Sequence, residues 1–375
     1  MAFSAGDATG RKFTFEKGNI NMSSEMFVAS SSKFPASLAI VGAVADGHLS
    51  FATHAHEVLS WWRPDASDRR SRVTLRHLLS FTSGFYSPDA GGTLPCLTGA
   101  NASSYTIQEC AKEVYENAPF EFEPGSTWAY NSFHLQVAGA MASAASGLSM
   151  QALLQKYLIR RLNLTGTSWY GGGNPSLAGS MITNGNDYDK ILQAYMSYEL
   201  LPKQLVDAME RDYLEPPVQV ANSSWFLTQL LGHYSMCNYF ECLPPKKAAF
   251  TPLCEKQNIH VDAGLFGYYP LVDRAHGTYM QVVSMQFPKS AAAFYFPTVL
   301  AMALRALIKH SVDLALGREG LEVLGAEPAG MSQRDIWDAT AGILNSVNVT
   351  SAHTTPADVW RALGVEQYAE EIAVV

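Results

Sequence analysis

Phe27-Val28-Ala29-Ser30-Ser31-Ser32-Lys33 contains the only Ser-X-X-Lys of this 375-residue chain. It opens a stretch of helical periodicity from Phe27 to Asp46, with Leu38, Val41 and Ala45 keeping the period. At the start of a helix this spacing sets Ser30 and Lys33 on one face, about a turn apart. An amine beside a hydroxyl takes its proton when the surroundings hold the lysine pKa down. The helix start also offers a backbone N–H to a developing oxyanion. A capping serine run followed by a solvent-facing lysine has the same four residues, so the reading depends on what surrounds them.

Upstream, Lys12 to Lys17 alternates Phe13 and Phe15 with polar residues, a short strand pattern. Downstream, the pattern predicts helices over 71–80, 107–117, 133–146, 150–162 and 187–200, then strands over 263–270 and 279–287 joined by a turn at 273–277. A long helix over 297–316 and short helical patterns at 333–345 and 356–363 follow. Strand signals at both ends with helices between them suggest a sheet built from both ends of the chain and an inserted helical subdomain.

Composition narrows the function. The chain is 47% hydrophobic and 16% charged, as a compact globular protein is, and its net charge is −8. With no long basic run, it lacks the electrostatic footprint of a nucleic-acid partner. No segment has the ~18 uninterrupted apolar residues of a membrane span. The first 17 residues show no apolar core of a signal peptide, so any export signal has been removed from this chain. Export is nonetheless the expectation. Cys96 with Cys110, and Cys237 with Cys242 and Cys254, sit in loop-like surroundings, and sequons occur at Asn21, Asn101, Asn163, Asn222 and Asn348. In an exported protein, Cys96 and Cys110 are expected to form a disulfide.

The nucleophile stretch resembles that of the serine β-lactamase and penicillin-binding-protein superfamily. It is most similar to the branch holding class C β-lactamases, β-lactamase-like esterases and transacylases. Val73-Thr74-Leu75-Arg76-His77-Leu78-Leu79-Ser80-Phe81-Thr82-Ser83-Gly84-Phe85 resembles that branch's most recognisable structural stretch. Asn174-Pro175-Ser176-Leu177-Ala178-Gly179-Ser180 and Asp187-Tyr188 resemble the segment after its helical subdomain.

The resemblance implies an α/β (α+β) fold, a β-lactamase/DD-peptidase-like sandwich of an antiparallel sheet with flanking helices plus an inserted, mostly helical subdomain. The catalytic domain is expected over 1–320, with sheet from about 1–60 and 255–320 and the helical subdomain over about 61–254. Residues 321–375 form an extension of unassigned role.

The family's second motif, Tyr-X-Asn after a Pro-Gly-Ser turn, falls on Tyr130-Asn131-Ser132 after Pro124-Gly125-Ser126. Tyr130 is therefore expected as the second general acid/base. Ser132 stands at the substrate-binding place where Asn is usual. Tyr115-Glu116-Asn117 keeps the literal spacing but precedes the turn and reads as structural. The third motif, Lys or His then X-Gly, falls on Asp262-Ala263-Gly264. Gly264 is expected to keep the strand open beside substrate. Asp262 would bring a negative charge to the place of the usual cation, the N–H of Leu265 would complete the oxyanion hole with that of Ser30, and Tyr268 or Tyr269 would line the acyl pocket. His276-Gly277-Thr278 is a rival in the following turn.

Three readings follow: a hydrolase of small esters, and secondarily amides; a transacylase using the same acyl-enzyme; or an inactive relative that binds rather than reacts. The last draws on the altered motifs and on the short region before the nucleophile helix, where the family has more sheet. No cofactor or metal is implied. His54-Ala55-His56-Glu57 suggests metal-ligand spacing without the residues to complete a site, and Gly171-Gly172-Gly173 lacks the Lys-Ser/Thr of a phosphate loop.

Overall fold

The computed structural model describes residues 1–89, 92–215, 217–221, 233–240 and 258–285. The helices expected at 297–316, 333–345 and 356–363 lie outside this set, as do Cys242, Cys254, Asn222 and Asn348. The strands are β1 (Ala2–Asp7), β2 (Gly10–Glu16), β3 (Met26–Phe27), β4 (Thr127–Trp128), β5 (Ser168–Trp169), β6 (Met181–Thr183), β7 (Gln219–Val220), β8 (His233–Tyr234), β9 (Tyr239–Phe240), β10 (Ile259–Val261), β11 (Tyr269–Asp273) and β12 (Thr278–Val283). The helices are α1 (Lys33–Ala45), α2 (Ala55–Val58), α3 (Leu75–Leu79), α4 (Pro95–Thr98), α5 (Ile107–Asn117), α6 (Phe133–Ser146), α7 (Met150–Leu154), α8 (Gly185–Met196) and α9 (Lys203–Met209).

Among the described residues, seven strands form one antiparallel sheet in the order β2-β1-β12-β11-β10-β9-β8, so β1 lies between β2 and the much later β12. Ala2 faces Val283 and Asp7 faces Thr278 in register. Strand β1, Ala-Phe-Ser-Ala-Gly-Asp, carries no period-two pattern because almost all of it is buried, and composition therefore hid it. Strands β8 and β9 join the sheet from within the span read as helical, each too short for a periodic signal.

Helix α8 packs on β1, β2, β11 and β12. It is fastened there by polar groups. The Asp189 carboxylate accepts from Ser4 Oγ (2.8 Å) and Tyr279 OH (3.0 Å), and Gln281 Nε2 donates to Ser4 Oγ (3.0 Å) and the Gly185 carbonyl (2.7 Å). A buried network with every member paired favours one packing over its alternatives. Helix α1 touches α8 through Phe34 and Tyr195 (4.8 Å) and lies against α6 and α7, and α6 lies against α3 and α5. Helix α5 follows its sequence signals: Ile107, Cys110, Ala111 and Val114 are buried, and Thr106 and Glu109 form a reciprocal capping box. Among the described residues, no single helix is long and apolar enough to cross a membrane.

The Cys96 and Cys110 sulfurs are 2.09 Å apart, a disulfide joining α4 to α5. Alkylation before reduction should leave both residues unlabelled in the unfolded chain, and labelling of either would refute the bridge. Replacing both with serine should cost about 3 kcal/mol, the entropy of closing a loop of roughly 15 residues.

Candidate active site

The Ser30–Lys33 segment differs from the expected continuous helix. Phe27 ends strand β3, a 3-10 turn spans Ala29–Ser32, and the α-helix begins at Lys33. The change tightens the pairing, because a 3-10 turn has three residues per turn and eclipses positions i and i+3. Lys33 Nζ donates to Ser30 Oγ at 3.0 Å. The turn from strand to helix passes through Ala29 at φ 47°, a left-handed conformation that costs a non-glycine residue about 1–2 kcal/mol. Ser32 Oγ holds it by donating to the Ala29 carbonyl (2.6 Å) and accepting from the Met181 N–H of β6 (3.0 Å).

Tyr130 reaches the same atom from the other side. It follows β4 and the turn at Pro124-Gly125, and its hydroxyl donates to Ser30 Oγ at 2.8 Å. Lys33 Nζ also donates to the Ala178 carbonyl (2.7 Å) and lies 4.7 Å from the centre of the Tyr130 ring. Lys33 is 3% exposed and Tyr130 7%, whereas Ser30 is half-buried, so the hydroxyl alone of the three stays open to a reactant. Phe81 (ring centroids 5.6 Å), Trp128 (6.0 Å) and Tyr239 (6.3 Å) surround the Tyr130 ring.

The structure brings the third segment to this turn but reverses what its side chains do. Asp262 is 2% exposed, and its carboxylate accepts the Phe34 N–H at the start of α1 (2.8 Å). It does not extend into the cleft. A helix start has unpaired N–H groups and a positive dipole end, which an acid satisfies and the family's cation would not. Burial pushes the Asp262 carboxyl up to about 8, against the opposing pull of Lys33 and the Phe34 N–H. Gly264 leaves room for the protein's own backbone: a Cβ there would lie 2.4 Å from the Val28 carbonyl oxygen and 2.8 Å from Ser31 Oγ.

Residues 264–267 form a turn and not a strand. Leu265, half-buried, directly follows the contact at Gly264, and among the described residues neither its N–H nor that of Ser30 has a hydrogen-bond acceptor. Tyr268 is also corrected. It is fully buried against Tyr188 (5.2 Å) and donates to Gln281 Oε1 (2.8 Å), so it belongs to the core. Ser132 is buried at the start of α6, beside Tyr130. Asn131 is wholly buried, donating to the Phe85 carbonyl and accepting from the Phe133 N–H.

Residues expected to be structural are so. Tyr115 is wedged against Trp62 (4.5 Å) and under Arg70 (4.6 Å), and His276 folds onto Asp273 in its turn (3.0 Å). His54 and Glu57 cap α2, and among the described residues no three His, Cys, Asp or Glu side chains converge as a metal site. Four contributors were missed. Ser31 Oγ donates to the Asp262 carbonyl (2.5 Å), Tyr188 OH to the Ser31 carbonyl (2.9 Å), and Ser32 and the Ala178 carbonyl act as described. The Asn174–Ser180 and Asp187-Tyr188 stretches marked two of these regions, but a role played by a carbonyl leaves no trace in residue type.

Gly264→Ala is expected to destabilise by about 1–3 kcal/mol through overpacking against backbone; an unchanged melting point would contradict the contact. A carboxyl that titrates near 8 when folded and at its ordinary 3.8 when unfolded holds an extra proton in the folded state between those values. Its contribution to stability is therefore full below about 4 and is lost as pH rises through about 8. Asp262→Asn should flatten that part of the stability–pH curve, and an unaltered slope would place the titration elsewhere.

A family model described as beta-lactamase matches residues 9–201, just over half of the chain. Among solved structures, a candidate beta-lactamase from Bacteroides dorei superposes with a TM-score of 0.64 at 23% identity, covering 80% of this chain and 90% of that one. A mutant of simvastatin synthase from Aspergillus terreus gives 0.58 at 17%, covering 79% and 91%. A D-stereospecific amidohydrolase from Streptomyces gives 0.54 at 20%, covering 75% and 87%. Comparison with curated proteins yields no match. The antiparallel sheet, its flanking helices and the matched family model together place this chain in the beta-lactamase family.

Proposed function

We propose that this protein is a serine hydrolase acting through an acyl-enzyme on small, uncharged esters, with Ser30 as nucleophile. One observation carries the reading: Ser30 Oγ accepts hydrogen bonds from Lys33 Nζ and Tyr130 OH at once, at 3.0 and 2.8 Å. For Oγ to bond to the acyl carbon its proton passes to this pair, which requires one of the two to be unprotonated and its hydrogen bond with Oγ to run the other way; the pair returns that proton to the departing alkoxide as the ester C–O bond breaks, and water then cleaves the acyl-enzyme by the same exchange. The N–H groups of Ser30 and Leu265 are the proposed oxyanion donors. Ser132 is the proposed contact to the acyl side.

The preference for uncharged esters has a different basis from the repulsion expected at Asp262. With that carboxylate turned inward, the third segment supplies neither a repelling charge nor the cation that receives a substrate carboxylate. Weak β-lactam turnover follows from the absent cation.

Transfer to an acceptor other than water is the second reading, favoured by the likeness to the structure named simvastatin synthase. Product analysis with added alcohols and amines separates it from hydrolysis. The Cys96–Cys110 bridge and the exposed sequons at Asn21, Asn101 and Asn163 support an extracytoplasmic setting for either.

Ser30→Ala should lower kcat for a chromogenic short-chain ester by roughly 10⁴–10⁶-fold with the fold intact. Lys33→Ala and Tyr130→Phe should be severe and far from additive, and Tyr115→Phe nearly silent. An active-site phosphonate should add its mass to Ser30; a protein that stays unmodified and inactive would support the binding-protein reading instead. Asp262→Asn should leave the kcat/KM ratio of matched neutral and carboxylate-bearing esters unchanged, and a shifted ratio would return Asp262 to the cleft.

A further inference from the structure

A second cavity, of about 310 Å³, opens on the side of α3 away from its buried leucines, and Arg76, His77, Ser80, Thr82, Arg211 and Tyr213 supply its polar walls. Arg76 projects from the exposed face of α3, whose other face buries Leu75, Leu78 and Leu79. Arg211 follows α9. Among the described residues no carboxylate lines the cavity, although acids outnumber bases 34 to 26 in the chain. Among the described residues neither guanidinium has a hydrogen bond or an ion pair.

The cavity's inner wall is built and rigid. Ser80 and Thr82 are 1% and 3% exposed, and their hydroxyls are bonded to each other at 2.9 Å. That bond uses one of the two O–H groups; among the described residues the other has no acceptor. The segment is pinned by Thr82 N–H to the His77 carbonyl (2.8 Å) and Gly125 N–H to the Thr82 carbonyl (2.7 Å). Gly125, at φ 85°, adds a wall without a side chain. Phe81, between the two hydroxyl residues, faces away and stacks on His134 (4.7 Å). Burial holds the His77 imidazole at about 4, so near neutral pH the cavity's charge comes from the two arginines.

We propose that this cavity binds the phosphate group of a small molecule. Two guanidiniums supply planar, permanently charged donors suited to a phosphate's oxygens, and the unused hydroxyl supplies a further donor at the cavity wall. The proposal concerns a surface separate from Ser30 and stands whether or not that residue is catalytic.

The test is calorimetric titration of the whole protein with inorganic phosphate, beside sodium acetate at matched ionic strength. Phosphate should bind saturably, one per chain and more tightly than acetate. Arg76→Gln and Arg211→Gln should each weaken it about tenfold or more, the loss typical of one charge-assisted hydrogen bond. Both side chains are exposed, so the variants should melt as the parent does, and Ser30→Ala should bind phosphate unchanged. No saturable binding at tens of millimolar, equal binding of acetate, binding that survives in the double arginine variant, or loss of binding in Ser30→Ala would each overturn the proposal.

Discussion

The carboxyl group of Asp262 and the N–H of Phe34 form the bond on which the site's geometry rests. It is buried, it joins the end of β10 to the start of α1, and it satisfies a helix-terminal donor that would otherwise cost about 1–3 kcal/mol to leave unpaired. Ser31 Oγ adds a second tie to the carbonyl of the same residue, and Tyr188 holds the Ser31 carbonyl from α8. Three elements thus meet on the turn that carries Ser30. Its hydroxyl is presented by a backbone tied to all three.

Tyr130 is supported by different means. Its segment is packed among Phe81, Trp128 and Tyr239, and Phe81 itself stacks on a His134 that burial keeps neutral, with a pKa of about 4. His134 Nε2 lies 2.7 Å from the Ala129 carbonyl and Nδ1 lies 2.9 Å from Ser83 Oγ, so both ring nitrogens are engaged. As Nδ1 accepts and Nε2 donates, the ring has one fixed tautomer and one fixed orientation. The Ser30–Lys33 side of the site is therefore held by polar ties at a helix start, and the Tyr130 side by aromatic packing.

Much of this was legible in the chain. Helices α5 and α6 fall on their expected bounds, α5 because its apolar period and capping box agree, α6 because a run of small residues packs closely on all sides and ends at Gly147 with φ 70°. Ser30, Lys33 and Tyr130 converge because their surrounding stretches matched a known pattern in order and spacing. What escaped was of two kinds. Strands β1, β8 and β9 are too buried or too short to alternate, and pattern reading depends on alternation. Asp262 and Tyr268 were placed in the right neighbourhood with the wrong orientation, and Gly264 makes room for the protein's own backbone where room for substrate was expected. Motif spacing fixes where a backbone runs, but the facing of a side chain depends on which partner can satisfy it. At Asp262 that partner was a helix terminus.

The placement of β1 between β2 and β12 also sets an order of events during synthesis. The β1–β2 hairpin is complete within the first 16 residues, yet one long edge of β1 stays open until residues 278–283 exist to cover it. Pairing across such a span is entropically slow to nucleate, and an open edge is a template for wrong partners in the meantime. Ser30 and Lys33 are likewise made early, while the segment that holds their turn in place comes more than two hundred residues later. A nascent chain therefore carries Ser30 and Lys33 long before it carries the contacts that fix their turn, and that geometry arrives only as the sheet closes.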